Sequence, residues 1–308
     1  MEERIVRTNI NYTYNVLMED LIKLRTRYPI LSWRYYGRSV MGKQLPYIRI
    51  GNGQRQVFYS AGIHANEWIN SIVMMKFIED FCIAYENDAE ISGYSARKIY
   101  ENASIFIAPM CNPDGIDLVL GAIPQNSVYY LKAKEIADRY SDIPFPDGWK
   151  ANINGVDLNL QFPANWLLAR ENKYAQGFTS PAPRDFVGFG PLTEPEALAL
   201  YDFTLMRNFR IILSYHTQGE VIFWRYLDYE PAGAEELGEE FARISGYELD
   251  DTIETGSYAG YRDWFISTYD RPGYTIETGK GVNPLPLSQF EEIYNENLGV
   301  LVTGAAYR

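Results

Sequence analysis

The sequence predicts an α/β fold, a single α/β/α sandwich around a mixed, mainly parallel twisted sheet. Three observations carry that expectation. Apolar strand-like runs alternate with helical segments along the whole chain. Polar residues with chemical potential fall at the ends of four of those runs, where open α/β sheets build their sites. With 308 residues, 46% hydrophobic and 15% aromatic, the chain has enough apolar mass to bury a large core and too much for disorder.

Residues 14–28 read as the first helix, with Leu17, Leu21 and Leu24 on one face and charges between them. Strand-like runs follow at 45–50 and 56–61, then a helix over 66–85 and a buried strand over 103–110. The stretch 121–153 has weak periodicity and many Pro, Tyr and Gly residues, and is expected to be a long ordered excursion. Thr193 and Glu196, with Pro195 between them, form a capping-box pattern for a helix running to about Arg207. The apolar strand Arg210–Tyr215 comes next, then a strand over Tyr274–Glu277 and a last helix from about Leu287. Neither repeats nor low-complexity tracts interrupt the pattern, so one domain over residues 1–308 is expected.

Net charge is −12, which argues against nucleic acid and anionic membrane surfaces as partners. It leaves room for an acidic ligand in a locally basic pocket. Cys82 lies in an apparent helix and Cys111 ends an apolar strand, so both are expected as buried free thiols, which suits a reducing compartment. The first residues lack a basic-then-apolar signal segment, and no apolar run approaches the ~20 residues of a membrane span. A cytoplasmic location is therefore expected, with a trimmed secreted or spore-associated protein as the alternative. Oligomeric state stays open.

The chain has only two histidines. His64 follows the strand 56–61 in the run Gly62-Ile63-His64-Ala65-Asn66-Glu67-Trp68, and His216 closes the strand 210–215. Two imidazoles and one carboxylate, His64, Glu67 and His216, would leave a fourth zinc position open for water, which is the catalytic arrangement. Glu277 closes another strand, and Asn112-Pro113-Asp114-Gly115 follows the strand 103–110. These placements point to one shared crevice.

Taken in order, the motifs resemble those of the zinc carboxypeptidase family. The matching pieces are His64-x-x-Glu67-Trp68, Asn112-Pro113-Asp114-Gly115, Asn154 through Asn159, Ser214-Tyr215-His216, Asp263-Trp264 and Thr275-Ile276-Glu277. The resemblance implies one Zn²⁺ on His64, Glu67 and His216, with Glu277 as the general base toward the zinc-bound water. It implies that Asp157 orients His64 from behind, and that Asn159 and a mobile loop tyrosine meet the substrate. Counting back from Asp263, the tyrosine's place falls on Thr255; Tyr258, and further along Tyr261, are the nearby candidates.

Three departures from the family pattern bear on the substrate. Where typical members carry an Arg that grips a free C-terminal carboxylate, this chain has Leu160. Where relatives often have Arg before the zinc-ligand Glu, it has Asn66. The position of the family's oxyanion-stabilising Arg is taken by Lys150, which offers charge without a planar fork. Arg262, just before Asp263-Trp264, stands where family members select the substrate side chain, and favours a carboxylate there. A lost C-terminal clamp and a basic pocket floor together resemble the bacterial γ-D-glutamyl-L-diamino acid endopeptidase branch. That implies peptidoglycan-derived peptides as partners and cleavage of the γ-D-glutamyl–diaminopimelate bond. Two alternatives remain: a carboxypeptidase releasing acidic C-terminal residues, and a catalytically silent zinc-containing muropeptide-binding protein.

Overall fold

The computed structural model describes residues 4–250 and 258–307. Among these, helices and strands alternate as α1 (Tyr14–Arg27), β1 (Ser32–Arg38), β2 (Gln44–Ile50), β3 (Arg55–Ala61), α2 (Ile69–Glu86), a two-stranded ribbon of β4 (Glu90–Ile91) and β5 (Tyr94–Ser95), α3 (Ala96–Asn102), β6 (Ala103–Ala108), α4 (Pro113–Val119), α5 (Val128–Ala137) and α6 (Trp166–Ala175). The second half contributes α7 (Pro195–Leu205), β7 (Phe209–His216), β8 (Val221–Phe223), α8 (Ala234–Ser245), β9 (Glu248–Asp250), α9 (Tyr261–Tyr269), β10 (Gly273–Glu277) and α10 (Phe290–Ala306). Eight strands form one sheet in the order β1-β2-β6-β3-β7-β10-β8-β9. The centre, β6-β3-β7-β10, is parallel, and antiparallel pairs flank it at β1/β2, β2/β6 and β10/β8. The expected mixed, mainly parallel sheet is present.

The central strands are apolar on both faces because both faces are covered. Val57, Tyr59 and Ala61 of β3 point into the larger core with Ile105, Ile107, Ile211 and Leu213. Phe58, Phe106 and Ile212 point the other way, onto Ala197, Leu200 and Phe203 of α7 and Trp264 and Phe265 of α9. Helix α2 is buried along most of its length, including Ile72, Val73, Phe77, Ile78 and Phe81, so its apolar character runs nearly all round. Cys82 and Cys111 are both free and buried. No helix among the described residues is long and apolar enough to cross a membrane.

Two sequence expectations change. The stretch 121–153 holds a helix, α5, whose outward Val128 and Leu131 blur its period while Ala133, Ile136 and Ala137 pack inward. The capping box at Thr193 does not form. Gln161 Oε1 accepts from Thr193 N (2.8 Å), Thr193 Oγ1 (3.1 Å) and Glu194 N (3.1 Å). Glu196 instead reaches across to accept from Val40 N at 3.0 Å. The helix therefore starts with Pro195 at its first position and Glu194 before it.

Candidate active site

Two tight turns at the ends of β3 and β6 build the floor. Gly62 has φ +64°, and a Cβ there would lie 2.9 Å from Ile116 Cδ1, so a side chain meets both strain and a clash. Asn112 caps α4 by accepting from Gly115 N (3.1 Å) and donates from Nδ2 to Ile63 O (3.2 Å) and Ala151 O (3.0 Å). A Cβ on Gly115 would sit 2.6 Å from Ala151 O and 2.8 Å from Ala65 Cβ. The Asn-Pro-Asp-Gly motif thus fastens the His64 turn to the Lys150 loop; Ala65 N donating to Lys150 O (2.9 Å) completes the join.

His64 precedes a single 3-10 turn, Ala65–Glu67, which brings Glu67 back beside it. His216 ends β7, where Asn70 Nδ2 (2.8 Å) and Thr278 N (2.9 Å) both donate to its carbonyl. Nδ1 of His64 lies 2.9 Å from Glu67 Oε1, Nδ1 of His216 lies 3.0 Å from Glu67 Oε2, and the two Nδ1 atoms are 3.2 Å apart. All three side chains are buried and offer ligand atoms within 4.8 Å of one another, so they form a set able to hold one metal ion. The spacings suit zinc: nitrogen and oxygen ligands at ~2 Å in a tetrahedron stand about 3.3 Å apart. The donor chemistry agrees, since two imidazole nitrogens facing each other across a carboxylate call for a cation between them.

The surroundings hold this set in place. His64 Nε2 meets Asp157 Oδ1 at 3.2 Å, which leaves Nδ1 for a metal. Burial opposes charge on His64, but Glu67 and Asp157 outweigh it and raise the imidazole to about 9 when no cation is present. Asp157 is held well below the usual carboxylate range against its burial, by the His64 charge and hydrogen bond and by Lys150. Glu277 is the register partner of His216 across the parallel β10/β7 pair, one strand over. Its pKa is raised, first by burial and then by Glu67, against the pull of His216 and Lys150. Lys150 Nζ pairs with Glu67 Oε1 at 2.9 Å; burial opposes its charge, and Glu67 and Glu277 hold it protonated.

A cleft of about 1040 Å³ opens over this floor, with Glu277, Lys150, Asn66 and Arg184 among its lining residues. The cis peptide Thr217-Gln218 forms part of its rim. Sequence reasoning passed over Arg184, a lone arginine in the proline-bearing run Ala182-Pro183-Arg184-Asp185 that belongs to no motif. Leu160 packs with Trp166, Val187 and Ala259 in an apolar cluster. Asn159 Oδ1 accepts from Tyr261 N at 3.1 Å. Arg262 is buried; its Nε (3.1 Å) and Nη2 (2.6 Å) both donate to Asp263 Oδ1, and its guanidinium lies 6.0 Å from the ring centre of Phe223, which lines the cleft. Tyr258 is half-buried against the Leu160 cluster and the α7–α9 core, Tyr261 is buried with its hydroxyl on Thr204 Oγ1 (2.8 Å), and Thr255 lies outside the described residues.

The sequence profile of the zinc carboxypeptidase family (Peptidase_M14) matches residues 17–299. This chain belongs to the zinc carboxypeptidase family. It is a zinc metallopeptidase, and His64, Glu67 and His216 are the set its described residues provide for the metal. This family member is 46% identical over 301 residues to "Gamma-D-glutamyl-L-diamino acid endopeptidase 1" of Lysinibacillus sphaericus, covering 98% of this chain and 74% of that relative. It is 38% identical to YqgT of Bacillus subtilis, over 94% of this chain and 76% of that protein. Its fold matches the crystal structure of thrombin activatable fibrinolysis inhibitor with a TM-score of 0.75 at 17% identity, covering 99% of this chain and 77% of that one.

Proposed function

We propose that this zinc peptidase hydrolyses the γ-D-glutamyl–diaminopimelate bond of peptidoglycan-derived stem peptides. The observation that carries the proposal is the 46% identity, over nearly the whole chain, to an endopeptidase named for that bond type. The site is consistent with it. A carboxypeptidase clamp needs a guanidinium where this chain buries Leu160 among apolar side chains, and Asn66 donates instead to Asp147 O at 3.1 Å. Without that clamp the chain beyond the scissile bond is free to continue.

Zinc held by His64, Glu67 and His216 would polarise the scissile carbonyl and make a bound water acidic near neutral pH. Glu277 accepts a proton from the attacking water. As the water oxygen joins the carbonyl carbon and the carbon–nitrogen bond breaks, the same carboxyl returns the proton to the departing diaminopimelate amine. Lys150 supplies positive charge to the carbonyl oxygen as it becomes negative. Asp157 keeps the His64 ring oriented throughout. Asn159 and Tyr258 complete the substrate side in this reading. In the same reading Arg262 selects a side-chain carboxylate through the edge of its guanidinium that Asp263 does not take up. Paired stem peptides with free and amidated C-termini test the proposal. Equal turnover of both supports an endopeptidase, and loss of turnover on amidation supports a carboxypeptidase instead.

A further inference from the structure

Arg184 stands over the site with no task in the mechanism above. It lines the cleft together with Lys150 and Glu277, and 43% of its side chain is exposed. Among the described residues, the one hydrogen bond of its guanidinium runs from Nε to Asp185 Oδ2 at 2.6 Å. That pair does not use up the arginine's charge, because Asp185 is already matched by Lys173 Nζ at 2.6 Å. Two cations on one carboxylate leave that trio with a net positive charge, and Arg184 carries it to a cleft that Asp142, Asp147 and Glu277 also line. Lys150 lines the same cleft, with its ammonium paired to Glu67.

The backbone around Arg184 is fastened to the catalytic floor on both sides. Before it, Pro183 O accepts from Lys150 N (2.8 Å) and Ala151 N (2.9 Å). After it, Asp185 N donates to Asp157 Oδ2 (3.3 Å), the carboxylate whose other oxygen meets His64. Phe186 O accepts from Asp157 N at 2.8 Å. Asp185 itself has φ 65°, a left-handed conformation that costs a non-glycine residue energy and is kept where surrounding contacts demand it. Burial opposes the Arg184 charge, while Asp185 and, after it, Asp157 and Glu67 favour it. An arginine braced this way is pre-organised for an anion close to the scissile bond.

We infer that Arg184 binds the free α-carboxylate of the substrate's γ-linked glutamyl residue, next to Lys150. This rests on the endopeptidase reading above. In a γ-glutamyl bond the scissile carbonyl is the side-chain carboxyl, so the α-carboxylate stays free on the acyl half, a short methylene chain away. Lys150 serves the carbonyl oxygen, and Arg184 is the cation joined to Lys150 through Pro183. An ordinary α-peptide offers no carboxylate at that place. Arg184 thereby distinguishes γ-glutamyl bonds from α-peptide bonds.

The test uses the zinc-loaded protein and three peptides: the parent stem peptide, one amidated at the D-glutamyl α-carboxylate, and one amidated at the diaminopimelate side-chain carboxylate. A charge-assisted contact predicts that α-amidation lowers wild-type kcat/KM by about 10- to 150-fold. Arg184→Ala lowers parent turnover by a similar factor and abolishes the α-amidation penalty. It leaves any diaminopimelate amidation penalty intact. Arg184→Lys, which keeps charge without the fork, retains part of the α-amidation penalty. Zinc content and thermal unfolding of each variant report on the fold, and the wild-type comparison of the amidated peptides needs no variant. A wild type indifferent to α-amidation overturns the assignment, as does a penalty that survives in Arg184→Ala. A diaminopimelate penalty erased by Arg184→Ala also overturns it, by moving Arg184 to the leaving-group side. Wild-type protein that cuts none of the peptides overturns the endopeptidase reading and the Arg184 assignment with it.

Discussion

With only two histidines in the chain, neither imidazole of the metal set has a substitute. His216→Ala should therefore remove most bound zinc, as should His64→Ala or Glu67→Ala; unchanged zinc by metal analysis in His216→Ala would contradict the ligand set. Glu277→Gln should keep zinc and fold while turnover drops by about 10²–10⁴ or more, the usual contribution of a general base. Near-normal turnover of a zinc-loaded sample would remove Glu277 from the mechanism. Arg262 is a harder case, because Asp263 already holds two of its nitrogens. Arg262→Ala should lower kcat/KM for the diaminopimelate peptide by about 10- to 150-fold and barely alter a lysine analogue. A preference unchanged in the variant makes Arg262 a partner of Asp263 alone. The residues legible in sequence were those whose chemistry needs a rare type at a strand end. Arg184 was not, since its position depends on a loop folding back onto Lys150 and Asp157.

At the scale of elements, turns and caps carry the positioning. Asn112→Ala would lose the α4 cap and leave Ile63 O and Ala151 O without their amide donor. Stability should fall on the order of 2–4 kcal/mol by denaturant titration, with weaker zinc binding because the His64 turn is untied; a loss below about 0.5 kcal/mol would contradict the role of the motif. Glu196, at the start of α7, is pushed up to about 7, first by burial and also by Asp114, despite hydrogen bonds from Val40 and Asn152. A carboxyl raised in the fold holds its proton there more tightly than in the open chain. Its stabilising contribution is full below the ordinary value near 4.5 and is lost as pH rises through about 7. Between pH 5 and pH 8 the wild type should lose on the order of 1–3 kcal/mol relative to Glu196→Gln. Parallel pH profiles of unfolding free energy would refute this. Long elements with a clear period, such as α1 and the central strands, were readable in advance. Strands β8 and β9, of three residues each, were too short to carry a pattern. Helix α8 does carry one, in Ala234, Leu237, Phe241 and Ser245, although no helix is among the sequence expectations for that stretch.

For the whole molecule, the sheet order decides where the chemistry meets. β3 and β7 are adjacent and parallel, so His64 and His216 emerge at the same edge, and β10 beside β7 brings Glu277 to it. That convergence was foreseeable from strand-end residues, whereas the order β1-β2-β6-β3-β7-β10-β8-β9 was not, because no local pattern specifies which strand lies beside which. The same sheet edge opens into a cleft bordered by Arg184, with Leu160 packed away in its apolar cluster. This arrangement suits a peptide that continues past the cut and carries a carboxylate before it. The most direct measurement is mass spectrometry of the stem peptide L-Ala-γ-D-Glu-meso-diaminopimelate-D-Ala after digestion by the zinc-loaded protein. Cleavage at the γ-D-glutamyl bond predicts two dipeptides, L-Ala-D-Glu and diaminopimelate-D-Ala. Release of D-Ala alone, or an intact peptide, would contradict the proposed activity.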